Sequence, residues 1–279
     1  MNIIIICTDH KRNQIALEYF SKISFVKIIK IYVVKKKEPE IPKAPKKLRT
    51  KLKKLWKLHF YKRFEAENRR FKFTIKENFN QEKVEFINDL KKIFKDKNFF
   101  KKNKIDLCFT SGIPILKKEY LKILPKYILN LHLGLLPHYK GSITMFWPFL
   151  LLEPQMAGTT YHLLNKNVDN KNLKIDTGEI IHQNKPKLRF GYSMHDVAAE
   201  AILAAMRDLK KVFLHLRQRI KKNTPVKIDK SLETRGKLFK RSDWKPHMLE
   251  IIYKTFNDKI VDMYLRKEIF GKEIKIKKL

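Results

Sequence analysis

The opening of the chain most constrains its fold. The apolar run "NIIIIC" at residues 2–7 is followed by "DHKRNQIALEYFSKI" and then by "VKIIKIYVV". A strand with no polar face belongs in the middle of a parallel sheet covered on both sides. The second segment places Ile15, Ala16, Tyr19, Phe20 and Ile23 at helical spacing, and the third is again strand-like. Strand, helix and strand in this order predict an α/β fold: a Rossmann-like, doubly wound, mostly parallel sheet with helices on both faces. No Gly-x-Gly-x-x-Gly follows the first strand, so nothing here argues for a dinucleotide.

The 279-residue chain allows one large domain, or one domain with an appendage. Residues 35–80 start with prolines in a Lys-rich loop and continue as a basic amphipathic helix with Leu48, Leu52, Leu55 and His59 at helical spacing. That helix either faces a phosphate or membrane surface, or packs its Leu and Trp56 stripe on the domain; packing is the favoured reading. "VEFINDLKKIF" is expected to be a helix, "KIDLCFTSGIPIL" a strand entering a loop at Ser111–Gly112, and "KKEYLKILPKY" a short helix. "AGTTYHLLNKNVD" and "GEIIHQNKPKL" read as later strands, and Ser193 with Asp196 forms a capping-box-like start to a long helix. The expected organisation is a catalytic domain over 1–195, with the basic helical insertion at about 35–80, and a mainly helical C-terminal extension over 196–279 packed on it.

Cys7 and Cys108 sit in apolar runs and are expected in the core, since two cysteines make no disulfide framework. The N-terminus lacks the signature of a secretory signal and no apolar run reaches bilayer-spanning length, so the expected location is the cytoplasm. The formal net charge of +35 suggests a polyanionic partner. Lys is spread along the whole chain, however, in a composition rich in Ile, Asn and Phe, so biased composition is the favoured explanation, ahead of a polyanionic partner or the attraction of a phosphate-bearing small substrate.

The stretch "LNLHLGLLPHYKG" at residues 129–141 holds the chemistry. In a strand, Asn130 and His132 share a face at the carboxyl end, where open α/β sheets place their sites. An amide donor beside an imidazole suits stabilising charge on a carbonyl oxygen while a proton moves. On spacing alone, two satisfied core side chains remain the commoner outcome. "IDTGEII" supplies Asp176 as a carboxylate for the imidazole.

"LNLHLGLLPHYKGSITMFWPF", "AGTTYH" and "IDTGEIIHQ", in that order, resemble the catalytic domain of formyltetrahydrofolate-dependent formyltransferases, over roughly residues 1–200. That family includes glycinamide ribonucleotide transformylase, methionyl-tRNA formyltransferase and the amino-sugar N-formyltransferases. The resemblance implies a catalytic trio of Asn130, His132 and Asp176, with 10-formyltetrahydrofolate as co-substrate and no metal. It implies a pterin site near Gly112, Ile113, Pro114 and Ile115, and an acceptor site near His138, Tyr139 and Lys140. Two departures stand out: Gly134 replaces the family's usual Ser, and an apparent extra segment before Asp176 makes Asp169 a second choice for the carboxylate. Asp176 is preferred because the turn entering "GEIIHQ" must place it.

Three readings of the acceptor compete. A small-molecule amine bearing phosphate, on a nucleotide-linked amino sugar, is favoured. Methionyl-tRNA is the alternative, lowered because the residues after 217 look helical and supply too few strands for a β-barrel. A non-catalytic RNA- or partner-binding member is the third. No transmembrane segment is expected, and a homodimer stays open.

Overall fold

The computed structural model describes residues 1–35, 39–72, 81–96, 98–166, 175–227, 229 and 231–279. A seven-stranded sheet runs through it in the order β3-β2-β1-β4-β5-β7-β8. The strands are β1 (Asn2–Thr8), β2 (Lys27–Val34), β3 (Val84–Ile87), β4 (Leu107–Ser111), β5 (Tyr127–His132), β7 (Thr159–Leu163) and β8 (Glu179–Asn184). β1 pairs in parallel with β2 and β4 at the centre, and β2 with β3 and β4 with β5 are also parallel. β5–β7 and β7–β8 are antiparallel. The mostly parallel, Rossmann-like sheet expected from the opening is present.

The apolar run of β1 is explained by two cores. Ile3, Ile5 and Cys7 face one, with Phe20 of α1 (Lys11–Phe20) and Leu209 of a long helix α4 (Met194–Lys221). Ile4 and Ile6 face the other, with Phe94 and Leu121, the latter from α3 (Lys118–Ile123). Both cysteines lie fully buried, and burial pushes the Cys7 thiol up to about 12. α4 opens with the expected capping box, in which Ser193 accepts from the Asp196 amide and Asp196 from the Ser193 amide. Its apolar face belongs to the sheet core itself, and the boundary expected at 195/196 falls in its first turn.

One element differs in kind from expectation. "VEFI" is an edge strand, and only Leu90–Phe94 beyond it is helical, as a 3₁₀ segment. Asp89 accepts from the Lys91 amide and forms a local cap, so the helical period begins only there.

The basic helix α2 (Thr50–Arg70) packs inward, as favoured. His59 is buried, Leu55 is half-buried in a third core, and the Trp56 indole donates to the Pro42 carbonyl at 2.7 Å. That third core joins Tyr139, Phe146 and Phe149, which follow β5, to Leu249, Ile252 and Tyr253 near the C-terminus. The extension is mainly helical as expected, with a short strand in "RGKLF". It includes β9 (Lys237–Phe239), which pairs in parallel with β6 (Tyr139–Gly141), and a tail bound to β8 through Gln183 and Lys277.

Candidate active site

β5 ends by delivering Asn130 and His132 to one face, and the antiparallel pairing with β7 sets Asn130 opposite His162 and His132 opposite Thr160. The loop after β5 is then pinned by groups from two motifs. Thr160 donates to the Gly134 carbonyl at 2.7 Å and accepts from the Leu136 amide at 3.0 Å, while Gln183 donates to the Leu136 carbonyl at 2.7 Å. The Gly-x-Thr segment and the Gln of "GEIIHQ" therefore hold the loop after β5 in place. Gly158 and Gly178 are needed for the close approach: a Cβ would sit 2.4 Å from the Asn184 carbonyl oxygen at the first and 1.9 Å from that of Leu163 at the second.

Asn130 is fixed at both ends. Its Oδ1 accepts from the Thr110 hydroxyl at 2.9 Å, and its Nδ2 lies 2.9 Å from His162 Nε2. Burial lowers His162 to about 4, against the Asp176 charge that opposes the shift, so the ring is neutral at pH 7 and its Nε2 accepts. An amide nitrogen carries two hydrogens, so one Nδ2–H of Asn130 is spent on His162 and one is left. Asn130 lines a cavity of about 1530 Å³, and that second hydrogen is its available donor there.

His132 is likewise held on both sides. Its Nε2–H donates to the Tyr139 carbonyl at 2.8 Å, and Nδ1 stands 3.5 Å from Asp176 Oδ2. Asp176 also accepts from the Gly141 amide at 2.8 Å, with its Oδ1 3.7 Å from His162 Nε2. The structure thus brings Asn130, His132 and Asp176 together. Asp169 lies outside the described residues. His132 has its Nε2–H already engaged, which leaves Nδ1 as the ring nitrogen open to proton exchange.

Gly112, Ile113, Pro114 and Ile115 line the same cavity. Gly112 has a φ of +66°, and a Cβ on it would meet Asn13 at 2.3 Å, so the turn out of β4 requires glycine. The acceptor residues expected from the loop are placed elsewhere. Tyr139 is buried, stacked on Phe239 at 5.7 Å with its hydroxyl donating to Glu153 at 2.6 Å, and Lys140 is buried and donates to the Leu232 carbonyl. Half-buried His138 does not line the cavity either; burial and then Arg235 lower its pKa. The physical reason is β6: its pairing with β9 turns this stretch toward the third core. His162 is the residue that residue-type reasoning missed, although it ends the quoted "AGTTYH".

The matches to known proteins include this segment. The Formyl transferase family model matches residues 101–205, which contain Asn130, His132, His162 and Asp176. A methionyl-tRNA formyltransferase of Borreliella burgdorferi is 29% identical over 120 residues, 40% of this chain and 36% of that protein. A GDP-perosamine N-formyltransferase of Brucella melitensis is 30% identical over 114 residues, 41% and 40% of the two chains. The matched part thus spans well under half the length of these curated relatives. A sugar N-formyltransferase structure from a Shewanella species superposes with a TM-score of 0.50 at 18% identity, covering 87% of this chain and 78% of that one, a likeness of fold. The segment that carries the whole Asn130–His132–Asp176 cluster is thus similar to the formyl transferase family.

Proposed function

We propose that the protein transfers a formyl group from 10-formyltetrahydrofolate to a primary amine on a nucleotide-linked amino sugar. The observation that carries this is the orientation of Asn130: Thr110 and His162 fix its amide so that one N–H is left for an oxygen in the cavity. When bound, the folate supplies the activated formyl carbon. Ile113, Pro114, Ile115 and Leu164 offer apolar cavity wall suited to a flat pterin.

The substrate amine attacks the formyl carbon, and charge collects on its oxygen. Asn130 Nδ2–H donates to that oxygen, and the His132 ring adds positive charge as it takes up a proton. The proton lost by the amine passes toward His132 Nδ1, with Asp176 3.5 Å behind it to stabilise the imidazolium. The C–N bond to the folate then breaks, and the leaving nitrogen takes a proton back from the same pair. Gly134 fits this scheme, because a Cβ there would sit 2.7 Å from His132 Nε2 and 2.8 Å from the Tyr139 carbonyl oxygen, in the way of their hydrogen bond.

The sugar acceptor is supported by the relative from Brucella melitensis and by the way the C-terminal residues Phe239, Arg241 and Trp244 wall the cavity. Methionyl-tRNA is the second reading, favoured by the relatives from Borreliella. Formyl transfer measured across nucleotide-linked amino sugars and methionyl-tRNA decides between them. His132→Ala and Asn130→Ala are each expected to abolish transfer while folding is kept; an active His132→Ala protein would overturn the mechanism.

A further inference from the structure

β6 stands between the site and the C-terminal extension, and its two backbone edges face opposite ways. On one edge, the Tyr139 carbonyl accepts from His132 Nε2–H at 2.8 Å and the Gly141 amide donates to Asp176 at 2.8 Å. The Tyr139 amide, on the same edge, closes the loop onto the Leu135 carbonyl at 3.0 Å. On the other edge, the Lys237 amide donates to the His138 carbonyl at 3.0 Å and the Ser142 amide to the Phe239 carbonyl at 2.8 Å. These are bonds of the parallel pairing with β9. Tyr139 and Gly141 therefore serve the His132–Asp176 pair, while His138 and Ser142 serve β9.

A three-residue strand does not hold such a position by itself, since even an isolated strand pair is marginal in water. Among the described residues, β9 is the strand that pairs with β6, and packing makes up for its shortness. Phe239 is buried, stacked on Trp147 at 4.5 Å and on Tyr139 at 5.7 Å. The Trp147 indole donates to the Ser142 carbonyl at 2.9 Å, next to the bond that Ser142 makes with β9. Two glycines permit the approach. A Cβ on Gly141 would stand 2.2 Å from the Phe239 carbonyl oxygen, and one on Gly236, whose φ is +72°, 1.7 Å from that of Pro137.

β9 lies outside the matched residues 101–205. We infer that β9 is a positioning element of the site, acting through the Lys237 amide and the Phe239 ring. It holds β6 so that the Tyr139 carbonyl keeps the His132 ring proton on Nε2 and the Gly141 amide keeps Asp176 beside Nδ1. A carbonyl accepts only from a nitrogen that carries hydrogen. Moving it away leaves Asp176, 3.5 Å from Nδ1, to draw the proton of the neutral ring to that nitrogen instead. A ring protonated at Nδ1 cannot take up the proton of an attacking amine there. The effect on rate rests on the transfer reading above, whereas the effect on the His132 ring stands apart from it.

The experiment pairs kinetics with nitrogen NMR on the full chain labelled at histidine. Lys237→Pro removes the amide that bonds β6. It is read against Lys237→Ala, which removes the side chain and keeps the amide. Long-range proton–nitrogen spectra, taken well above the usual imidazole value of about 6.5, report which ring nitrogen is protonated. The His132 signals are identified by their loss in His132→Ala. Lys237→Ala is expected to keep the proton on Nε2, and in Lys237→Pro the two nitrogens should become more alike or exchange roles. The kcat for formyl transfer should fall about 10- to 100-fold below that of Lys237→Ala, as for a misplacement of about 1 Å, with the folate KM within about twofold. Phe239→Leu keeps the backbone bonds and loosens the stack, so it should give the same changes at smaller size even where Lys237→Pro fails to fold. A fall in kcat with the proton still on Nε2 in both variants would mark a merely structural role and overturns the inference. So do equal kcat values in Lys237→Pro and Lys237→Ala. A wild type that transfers no formyl group, with the Nε2 proton lost in Lys237→Pro, keeps the positioning and removes the transfer reading. A wild type that transfers formyl, with the ring and kcat alike in Lys237→Pro and Lys237→Ala, does the reverse.

Discussion

At the scale of single residues, the site depends on which side chains are already committed. Asn130 gives one N–H to His162, and His132 gives its Nε2–H to the Tyr139 carbonyl. His162 is therefore a positioning residue, and its removal should act on the transition state. His162→Phe keeps a ring in the buried slot but removes the acceptor. It is expected to lower kcat by about 10- to 100-fold, below the cost of deleting an oxyanion donor outright, with the folate KM little changed. His162→Gln restores an acceptor and should recover part of the loss. A kcat within twofold of wild type for His162→Phe would end the assignment. Asn130 and His132 were visible in the sequence because they share one strand face at a fixed two-residue spacing. His162 was not, because its partnership with Asn130 depends on the register of two strands 32 residues apart. The placement of Tyr139 and Lys140 was hidden for a related reason. They follow the strand in a stretch that looks like a loop, and only pairing with Lys237 and Leu238, nearly a hundred residues later, turns them away from the cavity.

At the scale of elements, β1, α1 and β2 were legible because burial on two faces leaves an unbroken apolar run and burial on one leaves a helical period. "VEFI" carried no such mark, since a half-exposed edge strand four residues long has too few positions to separate the two periods. The C-terminal tail was equally hard to read. Its short Lys-rich sequence offers only Ile274, Ile276 and Leu279 as apolar residues, yet Lys277 exchanges bonds with Gln183 at 2.8 and 3.0 Å, and the Leu279 amide donates to His182 Nδ1 at 3.1 Å. These bonds occupy polar groups along the outer edge of β8, where an open strand invites pairing with another chain. Deleting residues 271–279 removes several such bonds, each worth about 1 kcal/mol net. The expected result is a Tm lowered by roughly 5–10 °C and concentration-dependent association in size-exclusion chromatography. A truncated chain that melts like the full one and elutes at the same volume at every concentration would show that the tail leaves the edge unprotected.

For the whole molecule, the charge of +35 draws the eye, but three buried neutral histidines govern how stability changes with acid. His59 hydrogen-bonds Tyr253 at 2.9 Å and His195 reaches the same hydroxyl at 3.2 Å, while His162 serves Asn130. Burial lowers His59 to about 3, His162 to about 4, and His195 well below its usual value. In the unfolded chain each titrates near 6.5. Between these values the unfolded state binds more protons than the folded one. Stability is therefore complete above about pH 6.5 and falls as the pH drops toward 4. Each histidine contributes a loss on the order of 2 kcal/mol between pH 7 and pH 5. Asp258, whose carboxyl is raised by burial against the pull of Lys62, works in the opposite direction. One raised carboxyl does not offset three lowered imidazoles, so the net sign holds. Urea unfolding at pH 7.5 and pH 5.0 should show a clear drop in midpoint, and His59→Gln, which cannot take up a proton, should show a smaller one. Equal midpoints at the two pH values would mean that these histidines are not buried neutral in solution. Loss of the drop in His59→Gln alone would assign the acid sensitivity to the junction where α2 meets the C-terminal core.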